Sequence, residues 1–165
     1  MIVDLTLSED QRMIEQGVVD FLRDRLPVER LRDPALACGG AERALWGELA
    51  GLGLFGLGIS EERGGLGLGL AEEALVARAL GRHLVSPAVL AQVAAPHFAE
   101  DVRLRAGLID GSIRAAFANR IDDVSAHLLD AAGAEQVLVI DAEGAALVAR
   151  DTLGPAEPVE GLDEA

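Results

Sequence analysis

Few side chains in this chain belong to types that make or break bonds. His83, His97 and His127 are the three histidines, and an imidazole can serve as a general base or a metal ligand. They share no metal-ligand spacing with one another or with Cys38, so no metal site is expected. His83 and His97 fall on amphipathic helical stretches, where a partly exposed or core-edge imidazole is the simpler reading. Cys38 is the single cysteine, which excludes an internal disulfide, and no basic neighbour in sequence would hold it as a thiolate. Trp46, the only tryptophan, reads as a packing residue ahead of a glycine-rich loop. Arg63, Arg78, Arg82, Arg103, Arg105, Arg114 and Arg120 are of the type that meets phosphate or diphosphate, but no motif selects one, and each reads as surface charge. Glu61, Glu62, Glu72 and Glu73 read as helix-cap and surface charges. No catalytic residue and no metal ligand is assigned, and the cofactor-binding residues are left unnamed.

The elements that carry these residues are mostly helical. Ser8 and Gln11 are placed as a capping box, Ile14, Val18, Phe21 and Leu22 recur at helical spacing, and Pro27 ends the helix near Leu26. Pro34 to Gly40 reads as loop, and a second helix is expected over Ala41–Ala50 with Gly51 as its stop. A third is expected over Leu68–Leu84, with Ala71, Ala74, Ala77 and Ala79 as small faces for close neighbours. Ser86-Pro87 marks the start of a fourth that reaches Phe98, and Asp101 to Ile109 gives a short fifth. Between the second and third helices lie glycines at 51, 53, 56, 58, 64, 65, 67 and 69, interleaved with Leu52, Leu54, Phe55, Leu57 and Ile59. Such a segment needs unusual turns or tight backbone contacts and is half buried. Gly65-Leu66-Gly67-Leu68-Gly69 is not a dinucleotide fingerprint, because that motif follows a β-strand and spaces its glycines more widely.

At Gly111 the pattern changes. Ile113–Ala118 and Val137–Ile140 are short apolar runs, and Asp141-Ala142-Glu143-Gly144 separates the second from Ala145–Ala149 as a hairpin turn would. The chain thus divides into a helical domain, residues 1–110, and a β domain, residues 111–165.

The ordered parts resemble a known family. Leu7-Ser8-Glu9-Asp10-Gln11, Leu45-Trp46-Gly47-Glu48-Leu49, Gly51-Leu52-Gly53-Leu54-Phe55-Gly56 and Ile59-Ser60-Glu61-Glu62-Arg63-Gly64-Gly65-Leu66-Gly67 are similar to the N-terminal half of an acyl-CoA dehydrogenase. Glu73-Ala74-Leu75-Val76-Ala77-Arg78 stands where that family has "E-x-L-A-R". The resemblance implies a mostly α fold: the family's N-terminal helical domain, followed by a partial, shortened β-barrel domain, with the C-terminal four-helix bundle absent. Gly161-Leu162-Asp163 resembles a stretch near the end of the family's middle domain.

What the resemblance implies for chemistry is an FAD-dependent oxidoreductase of lipid metabolism, which takes an α-proton from an acyl-CoA substrate with a glutamate and passes a β-hydride to the flavin. That glutamate belongs to the absent bundle. The family's "T-E-P-x-x-G-S-D" has Ala116-Phe117-Ala118-Asn119-Arg120-Ile121-Asp122-Asp123 in its place, without the hydroxyls. Its "G-x-K-x-[WF]-I-[TS]" has at best Ala126-His127-Leu128-Leu129-Asp130-Ala131. FAD is therefore expected for the family but not as fully bound by this chain alone. The chain reads as part of a flavin-dependent α,β-dehydrogenation completed by further sequence or a partner, in a homo- or hetero-oligomer of dehydrogenase-like chains. The alternative is a flavin-poor structural subunit of a heteromeric enzyme, with no activity of its own; a helical interaction module is a more distant third.

Composition bounds the partners. The formal net charge is −14, which disfavours nucleic acid and anionic membrane surfaces and means that a CoA-like anion would need a local arginine cluster. Hydrophobic residues make up 50% and aromatics 3%, so the core is expected to be Leu, Val and Ala. MIVDLTLSED has neither a basic region nor a long apolar run, so no signal peptide or membrane span is expected and the location is read as cytoplasmic.

Overall fold

The computed structural model describes residues 6–33, 36, 39–122 and 125–158. Cys38, most of the loop before Gly39, Asp123 and the Gly161-Leu162-Asp163 stretch lie outside them. Among the described residues, six α-helices precede a four-stranded sheet.

Helix α1 (Glu9–Arg25) starts as its sequence dictates. Gln11 N–H donates to Ser8 Oγ at 3.1 Å and Ser8 N–H donates back to Gln11 Oε1 at 3.0 Å, closing the capping box. Leu22 and Leu26 are fully buried, and Pro27 leads into a 3-10 turn over Val28–Arg32 that the sequence did not announce. The expected continuous helix over Ala41–Ala50 is instead two short ones, α2 (Gly40–Ala44) and α3 (Trp46–Gly51). Leu45, at φ −99° and ψ 8°, interrupts the helix between them. Helix α3 ends at Gly51, the expected stop, and the left-handed turn that follows falls at Gly53, which holds φ +73° with the Leu66 side chain where a Cβ would stand.

Helix α4 (Leu70–Arg82) lies along α1, in the same direction, and buries Leu75, Val76, Ala79 and Leu80. The small-face expectation is corrected here: Ala71, Ala74 and Ala77 are exposed, because the apolar stripe passes through the larger residues. Close packing on small side chains occurs on α5 (Pro87–Phe98) instead, where Ala88, Ala91 and Ala95 are buried. Ser86 caps α5 by accepting from Ala88 N–H, and α6 (Val102–Asp110) ends at Gly111 with φ +77°.

The glycine segment folds back on itself. Leu66 N–H donates to Gly56 O at 2.9 Å, Gly67 N–H to Ile59 O at 2.8 Å and Leu68 N–H to Leu57 O at 2.9 Å. A Cβ at Gly65 would overlap the carbonyl oxygens of Ile59 and Gly56, so the corner exists because two backbones touch.

Strands β1 (Ala115–Arg120), β2 (Ala126–Leu129), β3 (Gln136–Ile140) and β4 (Ala145–Ala149) form one sheet in the order β2-β1-β3-β4. The β3–β4 hairpin turns at Asp141–Gly144 as the sequence suggests. Strand β2 was not foreseen as a strand, and β1 pairs antiparallel with it but parallel with β3. Phe117, Leu138 and Leu147 share one face, and Phe117 and Leu147 pack with Ala91, Ala95, Leu108 and Ala115. A second, larger core joins Leu22, Leu26, Trp46, Leu49, Phe55, Leu80 and Val89. Aliphatic residues fill both cores, with Trp46 and Phe55 meeting at 5.0 Å between ring centroids.

Candidate functional site

The polar groups that survive burial gather where the helices meet the sheet. Gln92 of α5 is fully buried and saturated: its Nε2 donates to Leu108 O at 2.7 Å and Ile113 O at 2.8 Å, and its Oε1 accepts from Ala115 N–H at 2.7 Å. One side chain thereby joins α5, the end of α6 and the first residue of β1. Nearby, Trp46 is buried beneath the Arg114 guanidinium, 5.2 Å from the ring centroid, and Gly111 leaves no room for a side chain against the indole. Asp130 reaches from the β2–β3 crossover to Arg43, whose Nη1 donates to Oδ1 at 2.8 Å, and to the Ser86 hydroxyl. Arg43, Trp46, Ser86, Arg114 and Asp130 line a cavity of about 10 Å³, the size of one water molecule.

A separate buried ion pair braces the helices. Arg30 and Glu42 meet at 2.6 Å with their side chains 3% and 4% exposed. Arg30 also donates to the carbonyls of Leu26, Pro27, His83 and Leu84, so it closes the C-terminal end of α4 as well as neutralising Glu42. Sequence reasoning passed over Arg30, Glu42 and Gln92. Their only sequence signal is a polar residue inside an otherwise apolar helical stripe, which Gln92 alone shows clearly.

The residues singled out from the sequence are scattered. Glu72 caps α4, accepting from Gly69 N–H at 2.8 Å, and Gln11 donates to it at 2.9 Å; the Gln11 amide, then the backbone N–H groups, hold its carboxyl below the ordinary value. Glu61 and Glu62 are exposed. Glu73 does more than decorate a surface: half-buried, it accepts from Gly58 N–H at 3.0 Å and lies 2.8 Å from His97 Nε2. His83 is half-buried and His127 is exposed on β2, far from any shared ligand position in the pairing. Among the described residues, no group of three His, Cys, Asp or Glu side chains could hold a metal.

For the arginines, the surface reading is corrected at two positions. Arg105 is buried and donates to Ala99 O at 2.8 Å, satisfying a helix-end carbonyl, and Arg114 is half-buried on Trp46. Arg78 pairs with Glu15, and Arg120 pairs with Asp141 while donating to Asp122 O. Arg63, Arg82 and Arg103 are exposed on different elements. No phosphate-sized cluster is assembled from them.

A flavin dinucleotide does not fit what is described. Ligand pockets run to roughly 300–1,000 Å³. The enclosed cavity is far smaller, and the open groove of about 220 Å³ at the end of β1 sets one cation, Arg120, among Asp122, Asp141 and Glu143, a net negative rim that would repel a diphosphate. Asp141 is held below its ordinary carboxyl range by the N–H groups of Glu143 and Gly144, then by Arg120, so the rim stays charged.

The family model for the N-terminal domain of acyl-CoA dehydrogenases matches residues 8–105. The chain belongs to the acyl-CoA dehydrogenase family. Its similarity to solved structures extends past the helices into the sheet. It is 26% identical to a variant of the Tcur3481-Tcur3483 steroid ACAD, at TM-score 0.62, over 88% of this chain and 49% of that one. The ChsE4-ChsE5 complex from Mycobacterium tuberculosis matches at 22% identity and TM-score 0.59, over 89% and 49%. An acyl-CoA dehydrogenase complexed with FAD from Bacillus anthracis matches at 19% identity and TM-score 0.62, over 91% and 33%. The last two likenesses are of fold. No curated protein matches the chain. This acyl-CoA dehydrogenase-family chain spans about half the length of the solved relatives it matches first. Among its described residues no helix is long and apolar enough to cross a membrane.

Proposed function

We propose that this chain supplies the helical wall, residues 1–110, and part of the middle β domain, residues 111–165, of an acyl-CoA dehydrogenase assembly, and that it leaves the flavin and the catalytic carboxylate to other sequence or to a partner chain. The observation that carries the reading is at β1. Where the family places hydroxyls against the flavin, Ala116 and Ala118 are buried methyl groups, and Arg120 is engaged with Asp141 and the Asp122 carbonyl. Neither Ala116 nor Ala118 offers an isoalloxazine a hydroxyl, and besides Arg120 the polar side chain that β1 presents is the exposed amide of Asn119.

The sheet supports the same reading from its other side. Apart from Arg120 at the end of β1, the positions that alternate with Phe117 and Leu138, among them Ala116, Ala118, Leu128, Val137, Val139 and Val148, are apolar. An antiparallel or mixed sheet facing water on that side would alternate with polar residues, so both faces are built for packing. The ChsE4-ChsE5 complex and the Tcur3481-Tcur3483 steroid ACAD provide the analogy for a heteromer. A bulky acyl-CoA thioester is the substrate class of the assembly.

A visible absorption spectrum tests this. Purified alone, the chain carries no stoichiometric flavin band; co-purified with a neighbouring dehydrogenase-like chain, the complex shows one. A full flavin band on the isolated chain overturns the reading.

A further inference from the structure

Asp130 closes strand β2 onto the helices in a conformation that works against it. Its φ is +43°, in the left-handed region that residues with a Cβ enter at a cost, and it is not followed by a glycine that could share the turn. Such a conformation persists only where the surroundings hold it. Arg43 of α2 donates to Oδ1 at 2.8 Å, and the hydroxyl of Ser86, the N-cap of α5, donates to Oδ2. Because Ser86 Oγ also accepts from Ala88 N–H at 3.1 Å, its own hydrogen is free to point at the carboxylate. The backbone of Gly39 lies flat against the same group, where a Cβ would overlap it.

Besides its apolar packing on α5 and α6, the sheet is joined to the helices by two polar contacts of unequal character. Gln92 grips β1 with three fully buried hydrogen bonds. The Asp130 contact is ionic and reached by solvent, with Arg43 35% and Asp130 15% exposed at the side chain. Strand β2 is also an edge strand, paired to β1 alone, with Ala126, His127 and Leu129 exposed. The β1 ladder and the Asp130 contact hold it down.

We propose that Asp130 is a releasable latch: when its carboxylate leaves Arg43 and Ser86, residues 126–134 lift from the helical domain while β1 stays docked through Gln92. Backbone strain drives the opening and charge drives the closing, so the balance responds to ionic strength. The device gives a family fold of this kind a movable sheet edge, and it does not depend on whether the chain binds flavin.

Amide hydrogen exchange on the full 165-residue chain tests it, at about 50 mM and about 1 M sodium chloride. In the wild type, residues 126–134 exchange about threefold faster at high salt, while β1 and the helices are unchanged. Asp130→Ala, which keeps a Cβ in the left-handed region and removes the carboxylate, exchanges about tenfold faster there at both salts. Asp130→Asn keeps the shape and the hydrogen-bond acceptor but loses the response to salt. Salt-independent exchange of 126–134 in the wild type overturns the latch, as does wild-type protection in Asp130→Ala. An acceleration spread evenly over the whole chain overturns it too, since that reports global unfolding and no local opening.

Discussion

Gly65 has no space for a side chain. Its missing Cβ is where the carbonyls of Ile59 and Gly56 stand, so Gly65→Ala must push two backbone segments apart, at a cost of about 2 kcal/mol measured by urea denaturation. Gly64→Ala separates space from conformation: nothing lies near its absent Cβ, but its φ of +90° costs about 1 kcal/mol for any other residue. Glu42 sets a larger stake. With Glu42→Ala the Arg30 guanidinium keeps its four carbonyl acceptors but loses its counter-charge inside the protein, and the loss of stability is about 3 kcal/mol by the same measurement. The glycine requirement was legible in the sequence, because eight glycines among leucines have few other uses. The Arg30–Glu42 pair was not: two charged residues twelve apart give no local pattern, and only the packing of a 3-10 turn against α2 and the α4–α5 turn brings them together.

Helix ends and helix contacts carry the next tier of predictions. Glu72 joins the start of α4 to Gln11 of α1, and its carboxyl is held below the ordinary value of 4.5, first by Gln11 and then by backbone N–H groups. A depressed folded value means stability that is present above the unfolded value and lost as pH falls through the folded one. Wild type should therefore lose thermal stability below about pH 4.5 more steeply than Glu72→Gln, as read by circular dichroism melts across pH 3–6. At the junction of α5, α6 and β1, Gln92→Leu removes one donor group and one acceptor and strands the Leu108 and Ile113 carbonyls and the Ala115 N–H. The expected loss is about 3 kcal/mol, with exchange of the β1 amides rising most. The helices themselves were readable from capping residues and period: Ser8 and Ser86 cap where they were placed, and Asp101, expected as the first residue of its helix, caps it. The break at Leu45 was not, since Ala41 to Ala50 has the composition of one helix and no glycine or proline marks the interruption.

For the molecule as a whole, the dehydrogenase reading predicts a chain that meets an acyl-CoA only as part of a completed site. A bulky acyl-CoA should leave the melting temperature of the isolated chain unchanged and raise that of the complex with a flavin-bearing partner; a shift of the isolated chain would place a thioester site within these residues. The family, five helical stretches, the glycine corner and the passage from helix to strand near Gly111 were set by the sequence alone, because caps, prolines, glycines and periodicity act over a few neighbouring residues. The order of the sheet, with β1 between an antiparallel and a parallel neighbour, was decided only in three dimensions. So were the Gln92 suture, the Asp130 contact and the burial of Arg105. Each joins residues far apart in the chain, and a long-range contact is specified by the fit of whole elements to one another and not by the local text of either partner.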